Sequence, residues 1–450
     1  MTSPRLRAAA GGPVSAAVAR LVAAAGLLAA IAGLGAPAVG AAPAAGPARS
    51  TPGAPAAARA RAPASLPPPP HLPVRGACLI AASTGQRLAA QDPERRLAIA
   101  STTKLMTALV VLQHVRNLAT VYAQNDWLPA PDDSQLGLLP GQRMTVRGLI
   151  VAMMLPSADD AAEDLAYHVG GGSIARFVAW MNDEARTLRL TNTHFSTPIG
   201  LDRAGNYSTP CDLVALARYD LQHELFLRHV VALKAATVRV DGRPRRVVNI
   251  NYLLDLYPWV NGVKTGHTTA AGYVLVASGT RDGMTLIDAV LHAPSIAARE
   301  RDALALLRYG FRNFALVRAV RAGAVIAQVP VAQRPGVRAA VIAGGSFARV
   351  LPRAWPLVRR LELPRQLSGP LPRDARVGTL ELEQRGRLLA RIPLLLARPL
   401  KAVSVLTIAA RILLRGTTLV GLGLALAALL SLLAWRVRPR GRDRVQNRSR

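Results

Sequence analysis

STTKLMTALVVL, at residues 101–112, is the most informative segment of this chain. Its apolar run predicts a helix that begins at or near Ser101. The i, i+3 spacing puts Ser101 and Lys104 on one face, within reach of each other. A serine hydroxyl needs an adjacent base to act as a nucleophile, and a lysine desolvated among apolar neighbours can be that base. The alternative is an N-capping serine on an ordinary helix.

Lysine is scarce: of 56 basic residues in 450, four are lysine and 52 are arginine. Because arginine serves wherever a plain positive charge is sufficient, a retained lysine is a candidate for work that arginine cannot do, such as giving up a proton. A second lysine stands in the segment Lys264-Thr265-Gly266-His267, which reads as a strand before a hairpin. There Gly266 would let a ligand backbone approach the strand edge, while Lys264 and Thr265 would hold an anionic group.

Between these motifs, Pro156-Ser157-Ala158-Asp159-Asp160 has the composition of a helix start. The functional interpretation makes Ser157 a proton relay. Serine-x-x-lysine, serine-x-polar and lysine-threonine-glycine, in this order and at spacings of 56 and 107 residues, are the signature set of penicillin-binding proteins and serine β-lactamases.

Residues 76–318 resemble the D-alanyl-D-alanine carboxypeptidases of the low-molecular-mass penicillin-binding type, peptidase family S11. The flanking segments that carry the resemblance are residues 191–195, 200–202, 207–209, 264–272 and 299–311. The resemblance implies an α/β (α+β) fold, in which a serine β-lactamase/DD-transpeptidase-like domain has an antiparallel sheet flanked by helices. A small β-rich domain and one C-terminal transmembrane helix would follow.

The resemblance also implies a role for each matched residue. Ser101 would attack the carbonyl between the two terminal D-alanines, Lys104 would be its general base, and Ser157 would relay protons. The residues implied to bind substrate are Lys264, Thr265, Gly266 and His267 on the strand edge, Arg299 at the terminal carboxylate, and Asp159. Backbone N–H groups of Ser101 and His267 would form the oxyanion hole. No cofactor and no metal are implied.

One residue departs from the family pattern, since Asp159 stands where asparagine is usual. An ionised aspartate only accepts hydrogen bonds, whereas asparagine also donates. A negative charge near Lys104 and Lys264 would raise the lysine pKa values and make Lys104 a poorer base. The fold prediction is unaffected, but the exchange bears on catalytic efficiency.

The implied substrate is a peptidoglycan stem peptide ending in D-Ala-D-Ala, trimmed by one residue through an acyl-enzyme, with β-lactam antibiotics as inhibitors. Two alternatives stay open: a serine β-lactamase, and a catalytically weak scaffold that keeps the fold. Against the β-lactamase, no Glu-x-x-Leu-Asn segment occurs between 158 and 263. A zinc peptidase would need a His-Glu-x-x-His or comparable cluster, and this sequence contains none.

The net charge of +30 does not indicate a nucleic-acid binder, because the arginines are spread along nearly the whole chain and lack interleaved aromatics. Two cysteines exclude a disulfide scaffold and a cysteine-based zinc site. Cys78 lies on the predicted first strand and Cys211 at a predicted helix start. They could pair in an oxidising compartment or be separately buried.

The two ends of the chain predict export and membrane attachment. Residues 1–41 have the basic, apolar, small-residue order of a signal peptide, with a retained anchor as the alternative. Residues 417–435 are uncharged and long enough to span a bilayer, and the basic tail 436–450 predicts a cytoplasmic C-terminus. A buried core helix is the alternative. The catalytic domain would then be extracytoplasmic on a single-pass membrane protein.

The remaining segments are an Ala/Pro-rich linker at 42–75, the β-rich domain at 319–397 and a juxtamembrane segment at 398–416.

Overall fold

The computed structural model of this chain describes residues 65–402, 404, 408–410 and 416–437. The predicted signal peptide at 1–41 and the tail from 438 onward lie outside the described residues.

A five-stranded antiparallel sheet forms the centre of the first part of the chain, with strand order β2-β1-β9-β8-β7. Its strands are β1 (Gly76–Ala81), β2 (Arg87–Gln91), β7 (Val260–Thr268), β8 (Gly272–Arg281) and β9 (Met284–Ala293). All of β1 is buried, and its alternate residues enter two different cores. Side chains of a strand point alternately to the two faces of its sheet. The two cores therefore lie on opposite faces, and helices cover both.

One face packs on most of the helices, which are α1 (Lys104–His114), α2 (Val146–Met154), α3 (Asp159–Val169), α4 (Ile174–Thr187), α5 (Pro210–His223) and α6 (Leu225–Val231). The other face is covered by α8 (Ile296–Asn313). The short helix α7 (Leu253–Leu256) and the hairpins β3–β4 (Val121–Ala123, Arg143–Thr145) and β5–β6 (Ala235–Val240, Arg243–Val248) lie between these elements in the chain. The helix-flanked antiparallel sheet confirms the predicted fold class.

A disulfide between Cys78 and Cys211 joins β1 to the first turn of α5. That turn is fixed at its start because the Thr209 hydroxyl accepts the N–H of Asp212 and Pro210 occupies the first turn. The structure thus shows the pairing that the sequence left open.

A second, β-rich part follows, with its own core. Its strands are β10 (Phe314–Val320), β11 (Val325–Pro330), β12 (Arg338–Ala343), β13 (Phe347–Pro352), β14 (Val358–Glu362), β15 (Arg376–Gln384) and β16 (Arg387–Leu396). Five of them form one sheet in the order β11-β12-β16-β15-β14, and β10 pairs with β13. In β15, Leu380 and Leu382 are buried, as their alternation with glutamates predicts.

The last described helix, α9 (Gly416–Val437), contains an 18-residue apolar segment, Leu419–Arg436, none of which is buried inside the structure. A core helix of a soluble domain would be covered by neighbouring elements. Its length and exposure are those of a candidate membrane span.

Candidate active site

Ser101 and Lys104 meet where a short 3-10 helix, Ala100–Thr103, leads into α1. The Lys104 ammonium Nζ lies 2.7 Å from Ser101 Oγ. Lys104 is completely buried because α1 is enclosed by other helices, whereas Ser101 is half-buried and lines a cavity. The i, i+3 spacing therefore produces the contact that the sequence predicts.

Ser157 lies in the turn between α2 and α3, where its φ of 69° places it in the left-handed region. A non-glycine residue rarely adopts this conformation unless its surroundings hold it there. Lys264 Nζ, on β7, donates to Ser157 Oγ at 2.8 Å and to the carbonyl of Thr265 at 2.9 Å. The two lysines and two serines thus form two adjacent pairs.

The structure gives a reason for a glycine at position 266 that the sequence did not reveal. A Cβ at this position would lie 3.1 Å from the Ser101 nitrogen, the Ile99 carbonyl oxygen and the Ala100 Cβ. The missing side chain therefore makes room for the protein's own backbone at 99–101, which carries the Ser101 N–H. The interpretation from sequence assigned this space to a ligand.

Asp159 begins α3 and forms an ion pair with Lys104 through Oδ1. The Lys104 ammonium also donates to the carbonyl of Ile199 at 3.2 Å. Lys104 therefore contacts Ser101, Asp159 and a backbone carbonyl at once. Asp159 also lines the cavity, so a bound molecule would meet a carboxylate where the family usually presents an amide.

Burial dominates the ionisation of this cluster. It lowers the pKa of Lys104 below its ordinary value, and the attraction of Asp159 opposes this without cancelling it. The sequence predicted both effects, a desolvated Lys104 and a carboxylate that raises its pKa, and desolvation is the larger of the two. Burial, and next the positive charge of Lys104, hold the pKa of Lys264 well below its usual range. For Asp159, burial raises the carboxyl pKa and Lys104 works against it.

The cavity above these pairs has a volume of about 360 Å³. Of the residues singled out from sequence, Ser101, Ser157, Asp159, Thr265, Gly266, His267 and Arg299 line it. Lys104 and Lys264 lie behind this surface and reach it through the two serines. A larger cavity of about 650 Å³ lies beside α5, α6, β8 and β9. It contains none of the motif residues, so we place the site in the smaller one.

Arg299 belongs to the first turn of α8 and is 4% exposed. One guanidinium nitrogen donates to Glu300 at 3.0 Å, whereas the buried Nε has no hydrogen-bond partner among the described residues. A buried donor without a partner is costly. An acceptor on a bound molecule would satisfy it.

Sequence reasoning missed the segment 124–142, which supplies Asp132, Asp133 and Ser134 to the cavity wall. The carboxylate of Asp160 holds this segment in place by accepting three backbone N–H groups of residues 136–138, at 2.8 to 3.0 Å. The only signal in the sequence was a second aspartate at the helix start. Among residues 65–402 and the later described residues, no group of three or more His, Cys, Asp or Glu could hold a metal ion.

Known proteins with similar sequence and structure were found. A family model described as D-alanyl-D-alanine carboxypeptidase, Peptidase_S11, matches residues 64–295. A D-alanyl-D-alanine carboxypeptidase from a Streptomyces strain is 40% identical over 244 residues, which is 51% of this chain and 84% of that protein. The carboxypeptidase DacD of Salmonella typhimurium is 33% identical over 345 residues, 73% of this chain and 86% of that protein. The crystal structure of penicillin binding protein 5 from Haemophilus influenzae superposes with a TM-score of 0.59 at 28% identity, covering 74% of this chain and 98% of that one.

The family model spans more than half of the chain, and the Salmonella relative is 33% identical over 73% of it. These matches confirm the family that the three motifs indicated. The chain therefore belongs to the D-alanyl-D-alanine carboxypeptidase family, peptidase family S11.

Proposed function

We propose that this chain is a serine-type D-Ala-D-Ala carboxypeptidase in which Ser101 is the nucleophile. The observation that carries the proposal is the pair of contacts, Lys104 to Ser101 and Lys264 to Ser157, at the floor of one cavity. The substrate is a peptidoglycan stem peptide ending in D-Ala-D-Ala, and the product is the peptide shortened by one residue.

In the first half-reaction, Ser101 Oγ attacks the carbonyl carbon between the two D-alanines. Lys104 takes the serine proton, which is feasible because burial favours its neutral form. As the peptide C–N bond breaks, the departing D-alanine nitrogen receives a proton through Ser157 and Lys264. The result is an ester on Ser101 and free D-alanine. Water then hydrolyses the ester.

Binding groups for the transition state surround Ser101. The N–H groups of Ser101 and His267 would stabilise the developing oxyanion, and the close fit of Gly266 against residues 99–101 keeps β7 beside that N–H. Thr265 would hold the terminal carboxylate of the substrate together with the Nε of Arg299, which has no partner in the described part of the chain. Penicillins would acylate Ser101 by the same attack on their lactam carbonyl.

The test is D-alanine release from Nα,Nε-diacetyl-Lys-D-Ala-D-Ala by the full chain in detergent. We expect steady release, and a loss of at least roughly a thousandfold in Ser101→Ala. A folded protein that releases no D-alanine but is acylated by penicillin would instead favour the catalytically weak scaffold. Release that persists in Ser101→Ala would remove Ser101 from its proposed role.

We further propose that α9 anchors the enzyme and that residues 76–397 face the outside of the cell. Support comes from the uncovered apolar segment Leu419–Arg436 and from the basic residues that follow it in the sequence. We retain as a proposal the division into a catalytic domain at 76–318 and a β-rich domain at 319–397. Strand β10 crosses that boundary.

A further inference from the structure

The active-site cavity carries opposite charges in different parts of its wall. The guanidinium of Arg299, almost wholly buried, has an Nε without a hydrogen-bond partner among the described residues. Asp132, Asp133 and Asp159 also line the cavity. Arg299 fits the terminal carboxylate of the substrate. The three aspartates would therefore face the other part of the peptide, which stays on the enzyme as the acyl group.

The two loop carboxylates, Asp132 and Asp133, have no cationic partner among the residues that the structure describes. Asp133 Oδ2 accepts the N–H of Ala130 at 2.9 Å, which positions its carboxylate. Arg245 reaches the same segment, but it donates to the carbonyl of Leu136 at 2.6 Å and does not line the cavity.

The segment that carries these aspartates is fixed to the catalytic groups. The carbonyl of Ser134 accepts the N–H of Asp159 at 2.7 Å, and Asp160 binds the backbone of residues 136–138. Burial and their mutual ion pair dominate the pKa values of Lys104 and Asp159, and the charge of Asp133 adds an upward contribution to both. Asp133 is therefore close enough to influence the reacting groups.

Asp159, which contacts the same Lys104 as Ser101 does, adds a third carboxylate to the cavity wall. An ionised carboxylate cannot donate a hydrogen bond to a peptide carbonyl of the substrate, as an asparagine amide would. It can only accept from a donor. The acyl side of the cavity thus presents acceptors and negative charge, and this combination favours a cationic donor on the bound peptide.

We propose that Asp132 and Asp133 form a subsite for a side-chain ammonium group, so that the preferred substrate is a stem peptide whose residue before D-Ala-D-Ala keeps a free amine. This inference rests on the proposed carboxypeptidase function. The ammonium lies outside the bond that breaks, so its contact persists from the bound substrate to the transition state. It should therefore lower KM more than it raises kcat.

Two peptides that differ by one acetyl group test the subsite in the full chain in detergent. These are Nα-acetyl-Lys-D-Ala-D-Ala, with a free ε-amine, and its Nα,Nε-diacetyl form. We expect kcat/KM to be roughly fivefold higher for the free amine, mostly through KM, because a partly exposed ion pair is worth about this factor. The ratio should fall toward 1 at 1 M salt, where the Debye length is about 3 Å.

The double variant Asp132→Asn/Asp133→Asn should bring the ratio to about 1 by weakening cleavage of the free-amine peptide alone. Asp126→Asn is the matched control, since Asp126 is an exposed carboxylate of the same segment that does not line the cavity. Penicillin acylation of Ser101, followed by mass spectrometry, checks that each variant is folded.

The outcomes separate the two proposals. Equal kcat/KM for both peptides in the unmodified enzyme, or a preference that survives in the double variant, overturns the ammonium subsite and leaves the carboxypeptidase intact. Absence of D-alanine release from both peptides overturns the proposed function, and the subsite with it.

Discussion

At the residue scale, Lys104 combines two opposing influences. Its burial favours the neutral amine that can accept a proton from Ser101, while the ion pair with Asp159 favours the charged ammonium. The first influence is larger, so Lys104 can act as the base despite its partner. The presence of Asp159 in place of the usual asparagine should therefore change the reaction rate without abolishing it.

Asp159→Asn should raise the rate at which a penicillin acylates Ser101, because removing the carboxylate leaves Lys104 more often neutral. A change of one pKa unit in Lys104 would correspond to roughly tenfold in the neutral fraction. Stopped-flow measurement of acylation at pH 7 checks this. A lower or unchanged rate would mean that Asp159 is adapted to its site. Asp159→Ala is the control for loss of the side chain.

Glu163 provides a second residue-scale prediction, based on stability. Burial raises its pKa to about 7, from an ordinary 4.5. Between these values the folded chain keeps a proton that the unfolded chain has lost. The free energy of unfolding therefore falls as pH rises across the window, by at most about 3 kcal/mol.

Glu163→Gln should remove this contribution, so that the variant gains stability relative to the parent at pH 8 compared with pH 5. Urea unfolding of both proteins at the two pH values measures the difference. Parallel pH profiles would show that Glu163 is ionised in the folded protein at neutral pH.

At the element scale, the site depends on how the 3-10 helix at Ala100–Thr103 lies against β7. Gly266→Ala would force the Ala100 Cβ and the backbone of Ile99 and Ser101 away from the strand by a few tenths of an ångström. We expect at least a roughly tenfold loss in acylation rate, because the nucleophile and the oxyanion donors would no longer be aligned.

Gly345→Ala is the matched control for that prediction. It lies in the β-rich part, where a Cβ would meet only the Ile392 side chain at 3.8 Å. If both substitutions lower acylation equally, the loss reflects general destabilisation and the alignment argument fails.

Local patterns predicted local geometry well. The i, i+3 spacing predicted the contact between Ser101 and Lys104, and alternation predicted which leucines of β15 are buried. Two features were not predictable in this way: which of the two opposing effects on the pKa of Lys104 is larger, and the aspartates that segment 124–142 contributes to the cavity. Both depend on groups far away in the sequence that only the folded chain brings together, such as the helices that bury Lys104 and the carboxylate of Asp160 that holds residues 136–138.

At the scale of the whole molecule, a helix-flanked sheet, a β-rich part and an uncovered apolar helix follow one another along the chain. Deleting residues 416–450 should move the enzyme from the membrane to the soluble extracytoplasmic fraction, with D-alanine release retained. Cell fractionation followed by the activity assay measures this. A truncated protein that stays in the membrane would point to the N-terminal segment as a retained anchor.

The bond between Cys78 and Cys211 makes a closed covalent ring of the chain between them. Ser101 and Ser157 belong to this ring, whereas Lys264 enters from outside on β7. A protease that cuts once inside the ring leaves both pieces attached, so a nicked enzyme would run as one band on a non-reducing gel and as two after reduction. The two serines would then remain tethered to the rest of the molecule even after the chain between them had been cut.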